Sequence, residues 1–387
     1  MRGADILNCD IAIIGGGLSG GLIALALAAK RPDLDVRIVE PAAALGGNHI
    51  WSFFDSDVAA EHRWLVDPLI AHRWDSYDVV FPAHRRTLAT GYNSITSEAL
   101  DAALRAAMPA GHIITAGALS VDPTGAALDN QQQVQARHVI DARGPGDLTT
   151  LTLGWQKFAG QALTIRGGHG LTRPVVMDAA VDQAEGYRFV YCLPFDADTV
   201  FVEDTYYSDT SDLDVDTLTQ RIAAYAAAQG WVVSATARTE TGVLPVVIGG
   251  DFDAYWDSTG TGQPKAGLRA GLFHATTGYS LPGAVRLAAA MPDLVDGGDP
   301  AAAIQARARA QWRGQRFYRL LDTMLFKGAA PADRYRILER FYRLPAPLIE
   351  RFYAGASTTA DKIRVLSGKP PIPIGRAMVA IRDFHWV

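Results

Sequence analysis

Residues 11–30 read Ile11-Ala12-Ile13-Ile14-Gly15-Gly16-Gly17-Leu18-Ser19-Gly20-Gly21-Leu22-Ile23-Ala24-Leu25-Ala26-Leu27-Ala28-Ala29-Lys30, and this stretch decides the fold. Its first four residues are unbroken apolar and read as a buried strand. From Leu18 to Lys30 the chain is rich in Ala and Leu and reads as a helix. A single helix across a bilayer needs about 20 apolar residues. Here five glycines near the start divide the run into strand, turn and helix.

Gly15, Gly17 and Gly20 complete G-x-G-x-x-G, with Leu18 and Ser19 opening the helix. The first glycine allows the tight turn and the second lets a pyrophosphate approach the backbone. The third lets helix and strand pack closely. The helix N-terminus adds free N–H groups and a positive dipole end. Residues 35–40 form the next strand, and Glu40 at its end can accept hydrogen bonds from ribose hydroxyls. Gly17-Leu18-Ser19-Gly20-Gly21 also fits a G-x-S-x-G nucleophile elbow. That reading leaves the other glycines and Glu40 idle, and no Asp and His partners stand out. FAD is preferred over NAD as the dinucleotide. Gly46 and Gly47 follow where backbone can wrap a cofactor, and 134–141 is a strand ending in the sharp turn Asp141-Ala142-Arg143-Gly144-Pro145-Gly146. Only one such glycine fingerprint is present, so no separate NAD(P)H domain is expected.

Working outward, 94–108 and 217–229 read as helices. Residues 160–260 read as short antiparallel strands, and helical signals dominate from about 284. The expectation is α/β, α+β overall, with an antiparallel sheet following the parallel one. The 387 residues are 49% hydrophobic and 20% charged, ordinary for a globular chain. Two cysteines make no disulfide framework, and nine scattered histidines show no metal spacing, so no metal site is expected. His49 and His274 lie beside glycine-rich turns, where cofactor contact and a structural role are both open. The body is acidic and resembles no nucleic-acid module.

Residues 199–207 alternate as a strand. Phe201, Glu203, Thr205 and Tyr207 share one face; Val200, Val202, Asp204 and Tyr206 share the other. A carboxylate among aromatics is desolvated, so it can hold a proton near neutral pH. A solvated strand end is the competing reading.

These residues resemble the bacterial lycopene β-cyclases. The resemblance rests on the opening glycine run and on the segment from Asn48-His49-Ile50-Trp51-Ser52-Phe53-Phe54 to Asp57. It rests further on Phe201-Val202-Glu203-Asp204-Thr205 and on the late segment from Gly267 to Gly278-Tyr279-Ser280-Leu281-Pro282. It implies a Rossmann-like FAD-binding domain of the flavin monooxygenase type (1–75, 90–150 and 265–300). It also implies an antiparallel substrate domain (76–89 and 151–264) and a helical C-terminal region (301–387). It implies an isomerase that closes the ends of lycopene, by way of γ-carotene, with reduced FAD, NAD(P)H as reductant and no net redox change. Glu203 and Asp204 become the catalytic acids, the shorter Asp204 standing where the family has a second glutamate. His49, Trp51, Asp141, Gly144, Gly278 and Tyr279 join the glycine loop as cofactor residues. Other carotenoid-pathway enzymes become expected partners. A flavin monooxygenase or dehydrogenase, or a non-catalytic carotenoid-binding flavoprotein, are the alternatives.

Residues 301–387 carry 16 Lys and Arg against 6 Asp and Glu, or +10, while the whole chain is −5, which leaves −15 on the body. The triplets Arg316-Phe317-Tyr318, Arg340-Phe341-Tyr342 and Arg351-Phe352-Tyr353 suggest amphipathic helices docked on an anionic membrane surface. The expected location is peripheral, on the cytoplasmic face of the inner membrane. A helical cap whose aromatics fill the core is the competing reading.

Overall fold

A computed structural model describes residues 5–183, 186–368 and 375. The strand Ile6–Ile14 lies between Val36–Glu40 and Gln133–Asp141, parallel to both. Ile113–Thr115 adds a fourth parallel strand, and two antiparallel strands, Gly125–Leu128 and Ala118–Val121, complete a six-stranded sheet. The first strand begins at Ile6 rather than at 11. Its opening residues, Ile6 to Cys9, are held by pairing with residues 133–136, which needs no apolar run.

The helix Leu18–Lys30 buries Leu22, Ile23 and Leu27. They share a core with Leu100 and Leu104 of helix Ser97–Ala107 and with Val285, Leu287 and Met291 of helix Leu281–Asp296. The second of these starts later than its expected 94. Residues Tyr92–Thr96 are a strand, and the Thr96 hydroxyl caps the helix by accepting from the Ala99 N–H at 3.2 Å. Aromatic and β-branched residues favour the strand, and the hydroxyl fixes where it ends.

A second sheet has seven strands in the order Val233–Gly250, Leu151–Ile165, Thr199–Ser208, Arg188–Pro194, Val175–Asp178, Tyr77–Phe81, His84–Leu88. All neighbours are antiparallel except Val175–Asp178 with Tyr77–Phe81. One face is covered by Leu218, Ile222 and Ala226 of helix Val215–Ala228. The other meets an aromatic core that includes Phe201, Tyr207, Tyr187, Phe326, Phe341 and Phe352.

Much of that core comes from the C-terminal helices Arg316–Thr323, Tyr335–Phe341 and Ala346–Tyr353. Most of the triplets' aromatics therefore fill the core, as in the competing helical-cap reading. Tyr318, Phe341, Tyr342, Phe352 and Tyr353 are buried and point inward. Their arginines are tied down as well: Arg340 donates to the carbonyls of Val365 and Ser367, and Arg351 pairs with Asp361 at 2.7 Å. Burying a large ring removes it from water for roughly 2–3 kcal/mol, more than a shallow interfacial contact returns. Residues 369–374 and 376–387, which hold the rest of the expected basic tail, lie outside the described residues. Among the described residues, no helix is long and apolar enough to cross a membrane.

Removing a core ring leaves a cavity. Phe341→Ala is therefore expected to lower unfolding free energy by about 3–5 kcal/mol in urea titration. A loss below 0.5 kcal/mol would place that ring at the surface instead.

Candidate functional site

The fingerprint loop sits at the carboxyl ends of the parallel strands, where open α/β sheets bind ligands. Two of the three fingerprint glycines have a steric reason. Gly15 adopts φ +110°, and a Cβ there would lie 2.8 Å from the Ala142 carbonyl oxygen. A Cβ on Gly20 would run into the Gly15 carbonyl, whereas a Cβ on Gly17 would meet nothing. So Gly15 and Gly20 permit close packing, and Gly17 leaves open space before the helix. That helix has no side-chain cap and no acidic residue in its first turn. Its N–H groups are free for an anion, and the loop fits a dinucleotide pyrophosphate.

Three further segments converge here. Glu40 accepts from the Gly16 N–H at 2.8 Å and from the Ala42 N–H at 3.1 Å, so its carboxylate closes the loop. Gly46 donates to the Gly16 carbonyl at 2.9 Å, which brings Gly47, His49 and Trp51 beside the fingerprint. Ala142 donates to the Ile14 carbonyl at 2.8 Å, and a Cβ on Gly267 would lie 2.7 Å from the Ser19 hydroxyl. Asp141 needs correction as a direct cofactor contact. It is fully buried, and its oxygens are taken by Arg143 at 2.8 Å and Arg269 at 3.2 Å. It braces the turn, and Arg269 in turn donates to the Gly144 carbonyl at 3.0 Å. Ser19 packs under Gly267 with no histidine partner, so the nucleophile-elbow reading finds no support.

Across the seven-stranded sheet, Glu203 is directly opposite Tyr191 on one neighbouring strand and Gly160 on the other. Gly160 is in turn opposite Glu240. Residues opposite one another share a face, so Tyr191, Glu203 and Glu240 form one row. The Phe201 ring fills the space over Gly160, where a Cβ could not fit. Glu203 is largely enclosed by protein. Burial pushes its carboxyl up to about 8, the charges of Glu240 and Asp204 add to this, and the Thr205 hydroxyl, donating at 2.5 Å, opposes it. The Tyr191 and Tyr92 hydroxyls are hydrogen-bonded at 2.9 Å beside it. This arrangement can keep a proton near neutral pH among aromatic faces.

Asp204, which the resemblance makes a second catalytic acid, does not join that row. Strand alternation sends it to the opposite face, where it is fully buried and takes Arg188 at 2.5 Å. Tyr279 donates to Asp57 at 3.0 Å, and Gly278, at φ +65°, packs against Leu244. Asp57, unassigned from sequence, is almost wholly buried, which pushes its carboxyl up to about 7. Nothing in its local pattern signals this; its burial comes from Tyr279, more than 200 positions away. His274 is structural. It accepts from the Thr276 N–H at Nδ1 (3.2 Å) and donates from Nε2 to the Phe352 carbonyl (3.0 Å). Burial lowers it to about 4, so it stays neutral. Among the described residues, no cluster of metal-ligating side chains occurs.

Removing the Asp204 charge strands Arg188 in the interior. Asp204→Asn is expected to cost about 3–5 kcal/mol of stability in denaturant unfolding, and a neutral result would contradict the buried pair.

Solved structures with a similar fold have low sequence identity to this chain. A geranylgeranyl bacteriochlorophyll reductase-like protein from Thermoplasma acidophilum aligns with a TM-score of 0.60 at 13% identity, covering 98% of this chain and 100% of that one. A flavin-dependent brominase aligns with a TM-score of 0.60 at 15% identity, covering 97% and 99%. Sequence relatives are nearer. The lycopene beta-cyclase of Pseudescherichia vulneris is 44% identical over 371 residues, 95% of this chain and 96% of its own. That of Pantoea ananas is 43% identical over 382 residues, 97% and 98%. That of Paracoccus sp. is 44% identical over 377 residues, 95% and 96%. The family model described as lycopene cyclase protein matches residues 10–379, almost the entire chain, and the chain belongs to that family.

Proposed function

We propose that the protein is a lycopene β-cyclase, an isomerase that converts the open ends of lycopene into β-rings, giving γ-carotene and then β-carotene. The observation that carries the reading is Glu203: a carboxyl enclosed by protein on the strand face it shares with Tyr191 and Phe201, and pushed by burial up to about 8, in a chain with near-full-length cyclase relatives. Gly15, Gly17 and Gly20 with the uncapped helix end would hold the FAD pyrophosphate; Glu40 and the 46–51 segment would flank it. When bound and reduced, with NADPH or NADH as electron source, FAD supplies negative charge beside a developing cation.

The chain's own part is acid chemistry. Glu203 carries a proton at neutral pH and transfers it to the terminal alkene carbon, leaving a tertiary cation. The neighbouring double bond attacks that cation and closes the ring, and loss of a ring proton completes the β-end. Aromatic faces along the row favour a cation by their quadrupoles, and the absence of bulk water prevents its capture. Thr205, bonded to Glu203, orients the carboxyl.

The substrate is a bilayer hydrocarbon, so the enzyme must reach a membrane. Helix Thr359–Leu366 offers a contact, with Ile363 65% and Leu366 48% exposed beside Lys362 and Arg364.

Anaerobic incubation with lycopene, liposomes and NADPH, followed by pigment chromatography, should yield cyclised products. Glu203→Gln should lower the rate at least about 10²-fold; full activity in that variant would remove Glu203 from the chemistry. Because the proton-carrying form is active, turnover should decline as pH rises past about 8. Stability has the same sign. The folded carboxyl holds its proton more tightly than the unfolded one, so its contribution is complete below about 4.5 and is lost as pH rises towards about 8. Relative to Glu203→Gln, the parent should therefore lose unfolding free energy across that window and plateau above it.

A further inference from the structure

Glu240 stands on the same face as Glu203, two strands away, with only Gly160 between them in the row. It is 5% exposed. One of its oxygens meets His49 Nδ1 at 2.9 Å, and the other accepts from the Ile50 N–H at 3.2 Å. Asn48 adds a hydrogen bond to the Thr239 carbonyl at 2.6 Å. These bonds pin the loop after Gly46 and Gly47, which is hydrogen-bonded to the fingerprint, onto the sheet that carries the acid. Both oxygens of a buried carboxylate are thus committed, and the carboxylate is aligned with Glu203 rather than with solvent.

We propose that Glu240 is a positioning residue of the cyclisation face, whose charge favours the proton-carrying form of Glu203 and whose hydrogen bonds clamp the 48–50 loop against the substrate sheet. The inference rests on the cyclase reading for its consequence, though not for its geometry. Two strand spacings separate the two backbones by about 10 Å. A like charge at that distance, in an interior of effective dielectric near 20, opposes ionisation measurably. The groups facing Glu203 from other elements are few. Tyr191, with Tyr92 behind it, lies on one side, and Glu240 with His49 lies on the other. On its own strand, Thr205 donates to it, and Asp204 points away and is neutralised by Arg188. Glu240 is therefore the like charge on Glu203's own face.

The test follows the Glu203 carboxyl directly, by infrared titration of the FAD-loaded protein, with Glu203→Gln to assign the band. Glu240→Gln should lower the titration midpoint by about half to one pH unit and move the alkaline limb of cyclisation with it. An unchanged midpoint in a variant that melts like the parent overturns the electrostatic role. Glu240→Met gives the same neutral readout should the Gln variant not fold. His49→Gln keeps the Glu240 charge, so the midpoint should stay, while FAD dissociation should become several-fold faster as the loop loosens. Unchanged FAD dissociation would overturn the clamp. A parent protein that titrates as described but leaves lycopene unchanged would instead sink the cyclase reading alone.

Discussion

A β-strand cannot send two successive side chains to the same side, and the proposed acid chemistry depends on that constraint. It separates Glu203 from Asp204 although they are neighbours in the chain. Glu203 turns to the aromatic side of the seven-stranded sheet, where, among the described residues, no basic group pairs with it, and burial raises its carboxyl. Asp204 turns to the helix-covered side, where it is buried against Arg188. One strand thereby presents an acid to the interior and an anchor to its own structural core. A slip of one residue would exchange the two roles.

The same face gathers its aromatic surroundings from distant parts of the chain. Tyr191 and Phe201 come from the sheet, while Phe341, Phe352 and Tyr353 come from helices well over a hundred residues later. The C-terminal region thus supplies much of the aromatic core on that side of the sheet. Its aromatic side chains desolvate the interior, and its basic groups are held by carbonyls and carboxylates at the surface. Desolvation is the first cause of the raised Glu203 carboxyl.

The dinucleotide end obeys a different logic. There the backbone supplies the function, and side chains support it from behind. Glu40 closes the loop through the Gly16 N–H, and Asp141 with its two arginines stiffens the turn opposite. Glu240 and His49 join this end to the acid sheet, so the loop beside the fingerprint and the row containing Glu203 are mechanically connected.

The glycine loop, its flanking strand and helix, and the alternating carboxylate strand were legible in the amino-acid order, because each is a local pattern. A turn without side chains, a 3.6-residue period and a period of two are all determined within a few residues. Which face of the strand is buried, what Asp141 and Asp204 are paired with, and where the aromatic triplets point were decided only by tertiary structure. Each depends on partners far along the chain: Arg269 for Asp141, and the sheet core for Phe341 and Tyr342. Glu240 and Asp57 were invisible for the same reason, since a single acid in a strand or turn has no pattern until folding places His49 or Tyr279 against it. Local sterics are written in neighbouring residues, whereas desolvation and charge pairing depend on distances that exist only once the chain has packed.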